Sequence, residues 1–172
     1  ANELNDELYF VGSVFDAPLV TKGKTWLPIT QVITWLIMVK EAGRLHPNRS
    51  WFQRMWVASM TMPTILGSEW LHNLAHAYAA MLVGHPADAI RVAWGMPLLI
   101  YHDIEDPDVS PRNHVIRSAG GPILNMILWG VGSIIRHFSR EGSAGRDFSD
   151  ALVGTNAFLF LAGMTPQPWL DG

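Results

Sequence analysis

Polar and apolar positions along this chain gather in long blocks instead of short periods. From Pro28 to Lys40 a helix-compatible apolar stretch (Ile29, Val32, Ile33, Trp35, Leu36, Ile37, Met38, Val39) is too short to cross a bilayer upright. It is predicted to lie in the interface, the depth that suits Trp26 and Trp35. A polar loop with Lys40, Arg44, Arg49 and Arg54 follows, and then an apolar run from Met55 to Val83 whose single acid is Glu69. This run is predicted to be the first crossing, long enough to tilt or to bend at Pro63 and Gly67. Residues 84 to 113 form an acidic loop, in which Asp88, Asp103, Glu105, Asp106 and Asp108 outnumber Arg91 and Arg112. A second span is predicted at 115 to 135, where residues 118 to 135 hold no ionisable side chain. After a loop with Arg136, Arg140 and Arg146 comes a third apolar stretch, Ala151 to Met164. At about 1.5 Å per residue it is short for a full crossing and is expected to end part-way. Irregular backbone beyond it would need protein or a water cavity around it. The first 25 residues read as an irregular lead with β-prone pieces such as Leu8 to Val14, broken by Gly12, Pro18 and Gly23.

This pattern predicts an all-α membrane protein with one domain's worth of chain: a lead and interfacial helix over 1–54, and a membrane-embedded core over 55–172. Charged residues are 16% of the 172 and apolar ones 49%, against about 25% charged in a typical soluble domain. The opposing consideration is a mild mean hydropathy of +0.15, which a soluble helical protein with an apolar core would also show. Basic content alternates between successive loops, so 40–54 and 136–150 are expected on the cytoplasmic side. A net charge of −3 offers no basic stripe for nucleic acid. The absence of cysteine excludes disulfides and thiolate metal sites, and leaves His and carboxylate as zinc ligands. The acidic start (Glu3, Asp6, Glu7) does not have the form of a signal peptide.

Within the first span, His72 and His76 stand four residues apart on one helical face, where two imidazoles can grip one metal ion. In a soluble helix two unrelated histidines would be the better account. In an apolar span, where ionisable side chains are costly, the pair points to a functional site. A second element, Ala119-Gly120-Gly121-Pro122-Ile123-Leu124-Asn125, combines small residues for close helix approach with a side-chain amide at membrane depth. The third comprises Asn156 and then Gly163 to Gly172, where Pro166 and Pro168 break the helix ahead of Asp171. Taken alone, Asp171 reads as a polar residue at a membrane exit.

In this order the three elements resemble the site-2 protease family of intramembrane zinc metalloproteases, whose pattern is HExxH, then GP-x-x-N, then N-x-x-P-x-P-P-L-D-G. The resemblance covers residues 66 to 172 and matches at Gly121, Pro122 and Asn125, and at Pro166, Pro168, Leu170, Asp171 and Gly172. It implies three membrane segments around one zinc ion, with His72, His76 and Asp171 as ligands and an open fourth position. Gly121, Pro122, Asn125 and Asn156 would support the site.

Where the family has the catalytic Glu, this chain has Asn73. A carboxylate there takes a proton from the attacking water, which an amide cannot do, so the resemblance implies a homologue that is catalytically impaired or inactive. An engineered change, a natural pseudoprotease and a base relocated to Glu69 would each account for Asn73. Gly163 and Trp169 also depart from the family's Asn and Pro. The functions to compare are an intramembrane zinc peptidase acting on a transmembrane protein, a non-catalytic accessory or scaffold subunit among neighbouring membrane proteins, and a histidine-ligated haem, pigment or di-iron protein to which His102 and His114 would contribute. All three imply contact with membrane lipid.

Overall fold

The computed structural model describes residues 8–102 and 108–164. Four helices and a four-stranded sheet follow one another as β1 (Leu8–Val14), β2 (Ala17–Lys22), α1 (Ile29–Leu45), α2 (Trp51–Leu82), β3 (Ala89–Ala93), β4 (Met96–Ile100), α3 (Pro111–Phe138) and α4 (Ala144–Gly163). The helices lie on the apolar blocks read from the sequence, and serine caps start α2, α3 and α4 within the flanking polar loops. Ser50 opens α2 with a capping box: its hydroxyl accepts from the Gln53 amide at 3.3 Å while Gln53 Oε1 accepts from the Ser50 amide at 2.8 Å. Ser110 opens α3, with Pro111 in the first helical turn, and Ser143 opens α4. The capped start lengthens α4 to 20 residues, beyond the 14 or so expected from its apolar stretch. Pro63 lies inside α2 without ending it.

The all-α expectation is corrected by the sheet. Its order is β1-β2-β3-β4, with antiparallel outer pairs and a parallel β2–β3 contact that aligns Leu19 with Ile90 and Thr21 with Val92. The irregular lead is therefore mostly a hairpin, and the acidic loop contains a second one. Both turns need two consecutive residues at positive φ, which Phe15 (52°) and Asp16 (61°) supply in one and Trp94 (54°) and Gly95 (86°) in the other. The unusual Trp94 is fixed from both sides, donating from its amide to the Thr25 carbonyl at 2.5 Å and accepting from the Thr30 amide at 3.2 Å. Next to it, the Gly95 carbonyl accepts from Gln31 Nε2 at 2.7 Å and Trp70 Nε1 at 2.9 Å, tying the second hairpin to α1 and α2.

The sheet packs on the C-terminal half of α2 through small side chains. Ala17, Ala77, Ala87 and Ile90 form a buried cluster edged by Val14, Leu19, Leu74, Leu99 and Tyr101. This brings the strands alongside the helical segment that bears the two histidines.

Polar side chains share the interior of the helical layer with Val39, Val57, Leu66, Leu152 and Leu159, and large apolar ones cover much of its outside. Thr61, Thr64, Ser68, His72, His76, Asn125, Ser149 and Asn156 are buried, whereas Ile29, Val32, Ile33, Leu36 and Ile37 of α1 and Ile123, Met126, Ile127, Val131 and Ile134 of α3 are exposed. Of three predicted crossings, one is both long and apolar enough among the described residues: α3, whose most apolar 18-residue window is only 22% buried. So low a buried share distinguishes α3 from the core helix of a soluble protein. Although α2 has 32 residues, its threonines, serines, histidines and Asn73 dilute its apolar character.

Candidate metal centre

The packing of α2 against α3 and α4 places one polar stripe at the centre of the helices. Thr64, Ser68, His72 and His76 recur every four residues of α2, one above the other on a single face, and all are buried. The hydroxyls of Thr64 and Ser68 donate to the carbonyls of Met60 and Thr64 at 2.8 Å, which satisfies their own protons inside the helix.

Close approach of α3 depends on its two glycines. At Gly120 an added Cβ would stand 2.5 Å from the Ala75 carbonyl oxygen and 2.9 Å from Ala79 Cβ, so only glycine lets the helices meet there. At Gly121 it would stand 2.4 Å from His76 Nε2 and 2.6 Å from His72 Cε1. Gly121 therefore makes room for the imidazoles themselves, and Pro122 is buried beside it.

Each ring is held by an oxygen on its Nδ1. His72 Nδ1 bonds Asn125 Oδ1, and His76 Nδ1 lies 2.8 Å from the Arg117 carbonyl oxygen. Both acceptors are carbonyl-type oxygens, so both Nδ1 atoms carry the proton and both Nε2 atoms present a lone pair. The Gly121 amide, 3.5 Å from His76 Nδ1, is too distant to reverse that choice. The two Nε2 atoms face each other at 3.1 Å. A cation between them, a proton or a metal, suits that spacing.

Behind His72 the hydrogen bonds run through three helices in one direction. Asn125 Nδ2 donates to Asn156 Oδ1 at 2.6 Å, and Asn156 Nδ2 donates to Ser68 Oγ at 2.9 Å and to the Leu152 carbonyl at 2.8 Å. Asn125 and Asn156 are 0% exposed, so their amides depend on these partners. Asn156→Leu is expected to leave the Asn125 amide unpartnered and cost about 1–3 kcal/mol of stability. The His72 ring is expected to lose its fixed orientation as well, and thermal unfolding reads the stability loss.

Arg117, which supplies the carbonyl for His76, sets its guanidinium 4.1 Å over the Tyr101 ring and so joins this turn of α3 to the end of β4. Burial pushes the Tyr101 phenol above the ordinary tyrosine value, with Arg117 pulling it back in part, and the ring stays neutral.

Of the residues singled out in the sequence, His72, His76, Gly121, Pro122, Asn125 and Asn156 are gathered here. Asn73 and Glu69 are half-buried on α2, and Asn73 Nδ2 donates back to the Glu69 carbonyl at 3.0 Å. Asp171 lies outside the described residues. Among the described residues no three His, Asp or Glu side chains gather at a metal-sized spacing, so His102 and His114 do not join His72 and His76. Ser68 was missed, although its place four residues before His72 was the available signal.

The fold around this centre is that of a site-2 protease. The chain is similar to the site-2 protease of Methanocaldococcus jannaschii, with a TM-score of 0.54 and 15% identity over 96% of this chain and 68% of that one. At that identity the likeness speaks for the fold, and the chemistry rests on the residues themselves. No protein-family model matches the chain. No curated protein matches it either.

Proposed function

We propose that this chain is an integral membrane, zinc-holding homologue of the site-2 proteases in which Asn73 leaves peptide hydrolysis impaired or absent. The observation that carries the reading is the pair of imidazole Nε2 atoms facing each other at 3.1 Å, each ring anchored at Nδ1. Two nitrogens about 2.0–2.1 Å from one zinc ion at a tetrahedral angle would stand about 3.3 Å apart, so the pair needs almost no rearrangement to take the metal. A glycine where any Cβ would strike both rings, and an oxygen on each Nδ1, suit a metal-binding histidine pair. His72 and His76 would hold the ion, with Asp171 as the third ligand that the motif resemblance implies. Zinc, when bound, supplies Lewis acidity for a carbonyl oxygen and acidifies a water.

Membrane placement is supported by the large apolar side chains that α1, α3 and α4 leave exposed, and by α3, which is long and apolar enough to cross a membrane. Exposed apolar surface of that extent calls for an apolar solvent. Segments 40–54 and 136–150 meet at one end of the helices, where Arg49 pairs with Asp147 at 2.5 Å, and their basic content is the ground for proposing that this end is cytoplasmic. A transmembrane protein is the substrate class that reaches a centre so enclosed. The competing reading, an accessory or scaffold subunit among neighbouring membrane proteins, is favoured by Asn73 and by the eight tryptophans available to pack against neighbouring helices. Metal analysis of the detergent-purified chain is expected to give one zinc per chain, lost in His72→Ala and His76→Ala. Iron with a Soret band would overturn the zinc reading in favour of a haem or pigment protein.

A further inference from the structure

Asn156 is held by acceptors that belong to different helices. Its Nδ2 donates to the Leu152 carbonyl at 2.8 Å, within α4, and to Ser68 Oγ at 2.9 Å, across to α2. The first bond fixes the amide to its own helix and would form wherever α4 stood. The second sets where that amide lies relative to α2, which bears both histidines. Ser68 is 2% exposed and Asn125 and Asn156 are 0% exposed, so these buried groups depend on one another.

Ser68 is restricted to the acceptor role in this contact. Its one proton goes to the Thr64 carbonyl at 2.8 Å, so Oγ presents a lone pair to Asn156 and admits Nδ2 but not Oδ1. With Nδ2 turned to Ser68, Asn156 Oδ1 accepts from Asn125 Nδ2 at 2.6 Å, which leaves Asn125 Oδ1 for the His72 Nδ1 proton. His72 stands four residues after Ser68 on the same face of α2. The bonds therefore close a ring that leaves α2 at Ser68, passes through α4 and α3, and returns to α2 one turn further on. Other buried hydroxyls close no such ring. Those of Thr61, Thr64 and Ser149 donate to carbonyls three or four residues back in their own helices, and among the described residues none bonds a side chain of another helix.

We propose that Ser68 is a positioning residue for His72: it ties the Asn156 amide to α2 and, through Asn125, sets the orientation in which the ring presents Nε2. The geometry of this role stands on the hydrogen-bonded ring alone, and its consequence for metal binding rests on the zinc reading above.

Ser68→Ala is expected to weaken zinc binding about three- to tenfold in competition with a chromophoric chelator, less than the roughly 10- to 100-fold usual for a group bonded directly to a metal ligand. Ser68→Thr keeps the hydroxyl and has room for its methyl beside the cavity of about 440 Å³ that Gly67, Ser68 and Leu71 border, so it should restore the affinity. Thr64→Val removes a buried hydroxyl that lies outside the ring and is expected to leave the affinity unchanged. In an Asn156→Ala background, Ser68→Ala should weaken binding no further, because nothing remains to carry its effect. Affinity unchanged in Ser68→Ala, an equal loss in Thr64→Val, or a full additional loss in the Asn156→Ala background would each overturn the proposal. In the metal-free chain, Ser68→Ala should speed solvent exchange of the His72 Nδ1 proton and not that of His76, read by heteronuclear NMR. A parent chain that binds no zinc yet shows this difference refutes the zinc reading and supports the ring, whereas unchanged exchange refutes the ring. Should Asn156→Ala fail to fold, the exchange measurement and the Ser68→Thr rescue decide it.

Discussion

An Asn73→Glu variant is expected to cleave a membrane-spanning peptide about 10²- to 10⁴-fold faster than the unaltered chain, which is the usual worth of a positioned general base. Asn73 lies half-buried on α2 immediately after His72, with its amide turned back to the Glu69 carbonyl. An amide can orient a water at that place but holds no site basic enough to take its proton. Glutamate at the same position provides one. The comparison is made in vesicles, by appearance of the cut fragment, with zinc content measured for both chains so that a change in metal loading is not mistaken for a change in chemistry. Glu69→Gln introduced beside Asn73→Glu is expected to leave the gained activity in place. Cleavage by the unaltered chain that vanishes with Glu69→Gln would instead make Glu69 the base, one turn before the histidine it serves. No gain in Asn73→Glu, with zinc bound, would favour an accessory subunit over a peptidase that lacks one group.

How much of this was legible without coordinates follows from the range of the forces involved. The helices declare themselves because a helix that buries little of its apolar surface in protein must be apolar over many consecutive residues, and α3 is so over residues 118–135. The sheet does not, because β3 and β4 have five residues each, Pro18 and Pro97 interrupt two of its strands, and neither turn carries an Asn-Gly signal. Its parallel β2–β3 pairing joins residues some 71 apart, as in Thr21 with Val92, and no local pattern encodes such a contact. The same division holds in the candidate metal centre. The histidine pair is a local, helical fact and was visible as a spacing. Asn125 and Asn156 became candidates through the motif resemblance, since a lone asparagine in an apolar span reads equally well as helix-packing glue. Ser68 was passed over because a serine in an apolar helix usually turns its proton back to a carbonyl, as it does here at 2.8 Å to Thr64. Its second role, accepting from Asn156, appears only once α4 is folded against α2.

The second large effect concerns two adjacent glycines whose substitutions should fail for different reasons. Gly121→Ala is expected to lower zinc affinity by at least about 100-fold, more than the loss of a residue that merely orients a ligand. Its new methyl would stand 2.4 Å from His76 Nε2 and 2.6 Å from His72 Cε1, and it meets ring atoms that can swing away, so the rings part and the helices stay together. Gly120→Ala meets backbone instead, at 2.5 Å from the Ala75 carbonyl oxygen, which cannot move without its helix. That substitution is expected to cost about 1–3 kcal/mol of stability as α2 and α3 are forced apart, with zinc retained until the fold loosens. Metal content after dialysis against a weak chelator, measured beside the thermal midpoint in detergent, separates the two. Gly121→Ala should hold no zinc and lose no more stability than the ring hydrogen bonds to Asn125 and Arg117 supply, whereas Gly120→Ala should melt early and still hold zinc when cold. Zinc retained in full by Gly121→Ala would mean that the ion, if present, does not sit between the two Nε2 atoms, and the pairing of rings at 3.1 Å would then be a shared proton inside a structural core.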